Sequence, residues 1–349
     1  METPNVMKQN EHYNMNSTPQ LTAIQKSFAY IERAVQEHTA DTSSTSQPFF
    51  IADYGCSHGA NSLVAINAII QAFQQRYALT NEICVIFNDL YTNDWTTVFQ
   101  TVIANASTRK FFSLATGTSF YEQILPTGSV QFGYTSTALH WLSKKPCNLS
   151  KHCYSLAGQS TDEEMKLWRE QAATDYRLFL EQRSKELKKG GIFLSVTLSR
   201  NHLNDTGNLP IYHNLYRSAK AVLSDEDELL NFNIQGYYRS IDEQTDPDVL
   251  KELNLELICA DIHSLQHPIY EEYRSKQITL EEAIDKYTEF VRSWSESSFL
   301  SCLRKDRTDE ERMDTVNRFW KAFKDELREK GMENFQRNPF RSYIILRKL

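Results

Sequence analysis

Three short stretches of this chain carry residues suited to holding a nucleoside. In Asp53-Tyr54-Gly55-Cys56-Ser57-His58-Gly59-Ala60-Asn61, two glycines separate an apolar run, Phe49 to Ala52, from a helical pattern. Glycine permits a tight turn and lets the backbone approach a ligand closely. The helix that follows points its first N–H groups at the same place. Asn88-Asp89-Leu90 sets a carboxylate at the tip of the next apolar run, Ile83 to Phe87. From there it can accept hydrogen bonds from two vicinal ribose hydroxyls. Gly117-Thr118-Ser119-Phe120 follows a further run and offers a small polar group and an aromatic face to an adenine ring. Each stretch alone has an ordinary explanation, a strand-to-helix turn for Gly55 and Gly59 or a helix N-cap for Asp89. Together, in order and each at a strand end, they describe one crevice. The glycines do not spell GxGxxG, and Asp89 lies well beyond the roughly 20 residues expected in a dinucleotide fingerprint. The pattern therefore points away from NAD and towards S-adenosylmethionine.

The elements that must position these groups follow from periodicity. Thr18-Pro19 reads as an N-cap with proline at the first helical position. Leu21, Ile24, Phe28, Ile31 and Val35 then give one helical face, ending before a polar surface loop, Thr39 to Gln47. Short apolar runs at Phe49–Ala52, Ile83–Phe87, Phe111–Ala115, Val130–Tyr134 and Ile192–Leu198 alternate with helical segments, the longest from about Thr161 to Lys189. Further strands are expected at Leu255–Ile262 and Ser342–Leu346. This alternation predicts βαβ units and a parallel sheet covered on both faces. The expected architecture is α/β: a doubly wound, Rossmann-like sheet with a helical cap. Residues 1–200, 251–267 and 335–349 would form the cofactor-binding core, and residues 201–250 and 268–334 the cap over the acceptor pocket.

Composition narrows the functional classes. The chain has 349 residues, 40% of them hydrophobic and 12% aromatic, enough for a substantial core with a pocket. A net charge of -7 argues against nucleic acid as a partner, which would call for a basic face. The six cysteines are scattered without a CxxC pair, so they are read as reduced thiols of a cytoplasmic protein, with no metal bound through them. Met1 to Ser17 is polar and does not resemble a signal peptide. No apolar stretch approaches the ~20 residues that span a bilayer, so no membrane partner is expected.

Tyr13-Asn14-Met15-Asn16-Ser17 with Gln20, the run Ile51 to Asn61, Phe87-Asn88-Asp89-Leu90, Ser119-Phe120-Tyr121 and Leu139-His140-Trp141-Leu142-Ser143 together resemble the SABATH methyltransferases, the salicylate, jasmonate and theobromine type. The likeness is strong over the first 145 residues or so and continues by order of elements. It implies S-adenosylmethionine as cofactor, S-adenosylhomocysteine as product and a homodimer. Tyr13, Ser17, Asp53, Gly55, Cys56, Asn61, Asp89, Leu90, Ser119 and Phe120 would serve the cofactor. Gln20 and Trp141 match the pair that holds the substrate carboxylate in carboxyl-methylating members. Lys8, Thr137, His140, Ile211 and Tyr212 would line the substrate pocket, with Thr137 standing where an aromatic is usual. Asn231-Phe232-Asn233 matches part of a magnesium-associated motif, but the aspartate is missing, which argues against magnesium.

The chemistry needs little from the protein beyond alignment. A carboxylic acid with a pKa near that of a side-chain carboxyl, about 4, is already ionised at neutral pH and needs no general base. The Gln20 amide and the Trp141 indole are neutral donors, able to orient one oxygen without protonating it. In-line alignment alone can supply about 7–11 kcal/mol. The expected function is methyl transfer to the carboxylate of a small organic acid, giving a methyl ester. Two alternatives stand beside it: methylation of a ring nitrogen, which retention of Gln20 and Trp141 disfavours, and a silent nucleoside-binding protein on the same fold. His140 is expected as a wall residue and His58 as an exposed one.

Overall fold

The computed structural model describes residues 7, 14, 16–42, 47–77, 81–105, 111–332 and 338–349. Lys8 and Tyr13 lie outside the described residues. β1 (Phe49–Tyr54), β2 (Ile83–Asn88), β3 (Phe112–Thr116), β4 (Val130–Ser136) and β5 (Leu187–Ser199) run parallel to their neighbours. β6 (Leu255–Ser264) and β7 (Phe340–Lys348) close the sheet, with β7 antiparallel to both β5 and β6. The order is β3-β2-β1-β4-β5-β7-β6. Chain direction across the sheet reverses between β1 and β4, so the crevice of a doubly wound sheet opens at their carboxyl ends.

Successive side chains of a strand point to opposite faces. Phe49 and Ile51 of β1 accordingly pack with Ile66, Ile69 and Phe73 of the helix Ala60–Arg76. Ala52 and Tyr54 pack on the other face with Tyr176, Phe179 and Leu180 of the helix Asp162–Glu186. Both faces are dry, which is why β1 reads as a continuous apolar run. A separate apolar cluster joins Ile211 and Leu215 to Tyr287, Val291 and Phe299 and to Phe319 and Phe323. It gathers the helices Leu209–Val222, Leu280–Cys302 and Asp309–Lys330. The last two begin with reciprocal capping boxes, Thr279 with Glu282 and Thr308 with Glu311, each threonine cap contributing on the order of 1 kcal/mol.

Several local expectations are corrected. The N-cap of the helix Thr18–Lys26 is Ser17 rather than Thr18, and the Ser17 hydroxyl makes no cap but accepts from Asn61 at 2.9 Å. The helical face expected to run unbroken to Val35 is divided at Ser27, whose hydroxyl donates to the Ile24 carbonyl. The long helix stops at Glu186, short of Lys189, because Leu187 already pairs with Val130 in the sheet. His58 is fully buried rather than exposed.

Candidate active site

Gly55 follows β1 with φ +93°, and a Cβ there would stand 2.4 Å from that of Ala138. Only glycine fits. Ser57 takes φ +48° and Gly59 φ +87°, so the chain turns sharply into the helix Ala60–Arg76. Asp89 pins this turn to β2. Its carboxylate accepts from the Ser57 N–H at 2.7 Å and from its neighbour Leu90 N–H at 2.8 Å. Burial pushes the Asp89 pKa up despite those two N–H groups, and each carboxylate oxygen keeps a further lone pair. Asn93 donates to the Ser57 carbonyl at 2.7 Å from the other side.

The resulting crevice is lined by Gly55, Ser57, Asp89, Leu90, Asn93, Ser119 and Phe120, among others. Its floor is built by a buried ion pair. Arg183 meets Glu186 at 2.9 Å and donates to the carbonyls of Phe120 and Glu122 at 2.7 and 2.9 Å. Glu186 accepts from the Ile124 N–H at 2.6 Å and the Tyr54 hydroxyl at 2.8 Å. The Ser119–Phe120 turn is thereby fixed against the sheet.

Asp53, Cys56, Asn61 and Ser17 line neither this crevice nor its neighbour. Asp53 lies beneath the turn, where its carboxylate accepts from the Ser62 hydroxyl. Burial raises its pKa to about 7, offset in part by Ser62 and reinforced by the charge of Asp89. Asn61 donates to the Ser17 carbonyl at 3.2 Å and hydroxyl at 2.9 Å, and Asn14 to the His58 carbonyl at 3.3 Å. These bonds tie the segment leading to Gln20 onto the glycine turn.

A second cavity adjoins the first. Gln20, His140, Trp141, Ile211 and Tyr212 all line it. Met7, Thr137 and Trp141 line both cavities and form the boundary between them. The second cavity has a volume of about 60 Å³ against about 130 Å³ for the first. Thr137 has φ +54°, a conformation that β-branched residues avoid and that tends to occur at functional sites.

The segment carrying Trp141 is held at every carbonyl. Leu139 accepts from Arg239 at 2.6 Å, His140 from the Tyr237 N–H at 2.8 Å, Trp141 from the Tyr121 hydroxyl at 2.6 Å and Leu142 from Gln235 at 2.8 Å. Tyr212 stacks on Tyr154 at 3.8 Å and its hydroxyl meets that of Tyr238 at 2.6 Å. His140 is buried, and desolvation with the nearby guanidiniums of Arg341 and Arg239 lowers its pKa to about 3. It is a neutral wall at physiological pH. The amide oxygen of Gln20 is buried without a hydrogen-bond partner among the described residues.

Asn93, Tyr121, Arg239 and Arg341 were not legible as site residues. Asn93, Arg239 and Arg341 are common polar types with no motif around them, and Tyr121, though within the Ser119-Phe120-Tyr121 stretch, had no role assigned to it. At the partial magnesium motif, Asn231 accepts from Asn148 at 3.1 Å, and Asn233 donates to the Phe232 carbonyl at 2.8 Å. Among the described residues no group of three or more His, Cys, Asp or Glu side chains could hold a metal ion. All six cysteines are free, and no described helix is long and apolar enough to cross a membrane.

Comparison with known proteins bears on this geometry. A family model described as SAM dependent carboxyl methyltransferase matches residues 5–346. Loganic acid O-methyltransferase of Catharanthus roseus is 29% identical over 285 residues, covering 74% of each chain. Indole-3-acetate O-methyltransferase 1 of Arabidopsis thaliana is 27% identical over 225 residues, covering 57% of this chain and 58% of the relative. A solved structure of loganic acid methyltransferase with SAH superposes with a TM-score of 0.81 at 22% identity, over 99% of this chain and 98% of that one.

Proposed function

The chain belongs to the S-adenosylmethionine-dependent carboxyl methyltransferase family, and on that premise we propose that a small carboxylic acid, held by Gln20 and Trp141, is converted to its methyl ester. S-adenosylhomocysteine is the second product. The observation that carries the assignment is that Gln20 and Trp141 line one cavity while Trp141 and Thr137 also bound the nucleoside crevice.

S-adenosylmethionine, when bound, supplies an electrophilic methyl group on a sulfonium. The residues present fit it. Gly55 leaves room that a Cβ would fill, and Asp89, Ser119 and Phe120 line the crevice, where Asp89 would accept from ribose hydroxyls and Ser119 and Phe120 would hold the adenine. Gln20 and Trp141 orient the acceptor oxygen by neutral N–H donation, leaving its charge available for attack. The apolar walls, Ile211, Tyr212, Phe290 and Trp294 among them, exclude water, which favours a reaction in which opposite charges are neutralised. His140 takes no proton, because the carboxylate is already ionised.

Residues 1–200, 251–267 and 335–349 serve as the cofactor-binding core, with 201–250 and 268–334 as the cap; the separate apolar cluster of the cap helices supports this division. The protein is further proposed to be a cytoplasmic homodimer. Its free thiols support the compartment and the family likeness supports the dimer, which light scattering after size exclusion would test.

The decisive experiment incubates the protein with methyl-labelled S-adenosylmethionine and a panel of acids and heterocycles. Ester products release labelled methanol in alkali, whereas N-methyl products keep their label. Label stable to alkali, or none transferred to any acid, would overturn the assignment.

A further inference from the structure

The acceptor cavity holds a second polar set that carboxylate orientation by Gln20 and Trp141 does not use. Asn208, His267 and Arg341 line it together with His140, and all four are buried. They come from three segments that the fold brings together at the start of β7. The Phe340 N–H donates to the Thr206 carbonyl at 3.2 Å, and the Leu265 N–H to the Pro339 carbonyl at 3.1 Å. These bonds join the stretch before Asn208 and the stretch before His267 to the strand carrying Arg341. Asn208 is the N-cap of the helix Leu209–Val222, and its amide donates to the Tyr238 hydroxyl at 3.1 Å. His267 precedes Pro268 at the start of the helix Pro268–Arg274, so its backbone is extended. Its ring packs on Tyr287 and Phe290 at 5.1 and 5.0 Å.

Four polar atoms of His267, His140 and Asn208 are open to a ligand. Both ring nitrogens of His267, Nδ1 of His140 and Oδ1 of Asn208 are buried without a hydrogen-bond partner among the described residues. Such groups are rare in folded proteins, and each calls for a partner. The Arg341 guanidinium lies close enough to His140 and His267 to help keep both rings neutral. A neutral imidazole carries one donor and one acceptor, and Asn208 Oδ1 is an acceptor.

We infer that the acceptor acid carries, besides the carboxylate that is methylated, a hydroxyl group received by Asn208, His267 and Arg341. A hydroxyl donates to Asn208 Oδ1 and accepts from the imidazole N–H or the guanidinium. A second carboxylate has no proton for Asn208 at neutral pH. An apolar group would leave the His267 nitrogens and Asn208 Oδ1 without a partner among the described residues. This rests on the carboxylate chemistry proposed above.

The test compares kcat/KM for matched acids: 4-hydroxyphenylacetic with phenylacetic, 3-(4-hydroxyphenyl)propanoic with 3-phenylpropanoic, and 6-hydroxyhexanoic with hexanoic and adipic acid. At least one hydroxylated acid should be preferred to its plain partner by about 10-fold or more, as for a site built to bind a hydroxyl. His267→Phe keeps the aromatic packing and deletes both nitrogens, so the preference should collapse; His267→Gln should restore part of it. Asn208→Ala supplies the same comparison if His267→Phe fails to fold. Equal turnover within all pairs, a preference that survives His267→Phe, or adipic acid outrunning 6-hydroxyhexanoic acid would overturn the inference while leaving ester formation intact. Absence of alkali-labile product from every acid would instead sink the underlying carboxylate assignment, a separately scored result.

Discussion

Gly55 is the position least able to change. Gly55→Ala combines a left-handed φ with a Cβ 2.4 Å from Ala138. It should lower stability by about 1–3 kcal/mol and weaken cofactor binding, both measurable by thermal denaturation with and without S-adenosylhomocysteine. Gln20→Ala and Trp141→Phe remove one donor each from the acceptor. Each should reduce kcat/KM for the acid by roughly 10- to 100-fold, the range for a hydrogen bond to a charged group. Affinity for S-adenosylhomocysteine by calorimetry should hardly change; a parallel loss of cofactor binding would show that these residues act on the fold rather than on the acceptor. Gly55, Asp89 and Phe120 were readable because each sits at or just beyond a strand end, where a parallel sheet displays its side chains, whereas Gln20 and Trp141 were readable only through the family resemblance. His58 was misjudged because polarity and a glycine turn suggest exposure, whereas here the N-terminal segment lies close enough for Asn14 to reach its carbonyl.

At the scale of elements, the turn bearing Trp141 depends on partners far along the chain. Arg239 reaches the Leu139 carbonyl at 2.6 Å and grips the Ala172 carbonyl through Nε and a terminal nitrogen. Arg239→Lys keeps the charge but loses the fork, since an ammonium cannot reproduce its geometry. It should lower the melting temperature and kcat together. Tyr121→Phe, which removes the hydroxyl that donates to the Trp141 carbonyl, should raise KM for the acid with a smaller effect on stability, because Tyr121 positions Trp141 rather than touching substrate. Neither link was legible, since side-chain contacts between residues 20 or 100 positions apart leave no trace in local periodicity. Strand existence was legible; helix ends were less so. Glu186 terminates its helix because a tertiary pairing, Leu187 with Val130, overrides a sequence that would otherwise continue.

For the whole molecule, buried histidines set the response to acid. Burial lowers His38 and His152 to about 4 and His140 and His267 to about 3. A histidine depressed in the folded state contributes stability that is present above about pH 6.5 and is lost as pH falls towards its folded value. Each contributes up to about 1.4 kcal/mol per pH unit over that window. Asp53, raised to about 7, acts oppositely, since its ionisation penalises the folded state as pH rises from about 4 to 7. The histidines outnumber it, so the melting temperature should fall between pH 7 and pH 5, and more steeply in Asp53→Asn. A flat profile would contradict the burial of these rings. The parallel strands and their flanking helices followed from alternation in the sequence. The strand order and the antiparallel insertion of β7 between β5 and β6 did not, because register between distant strands is settled by packing.

Thr137 and Trp141 belong to both chambers at once, which makes occupancy of either one a condition on the other. Coupling through a shared wall runs in both directions: whatever factor the donor adds to the acid's affinity, the acid must add to the donor's. Spent nucleoside should accordingly leave more readily once the ester has gone, and an unreactive acid should act as a latch that retards its escape.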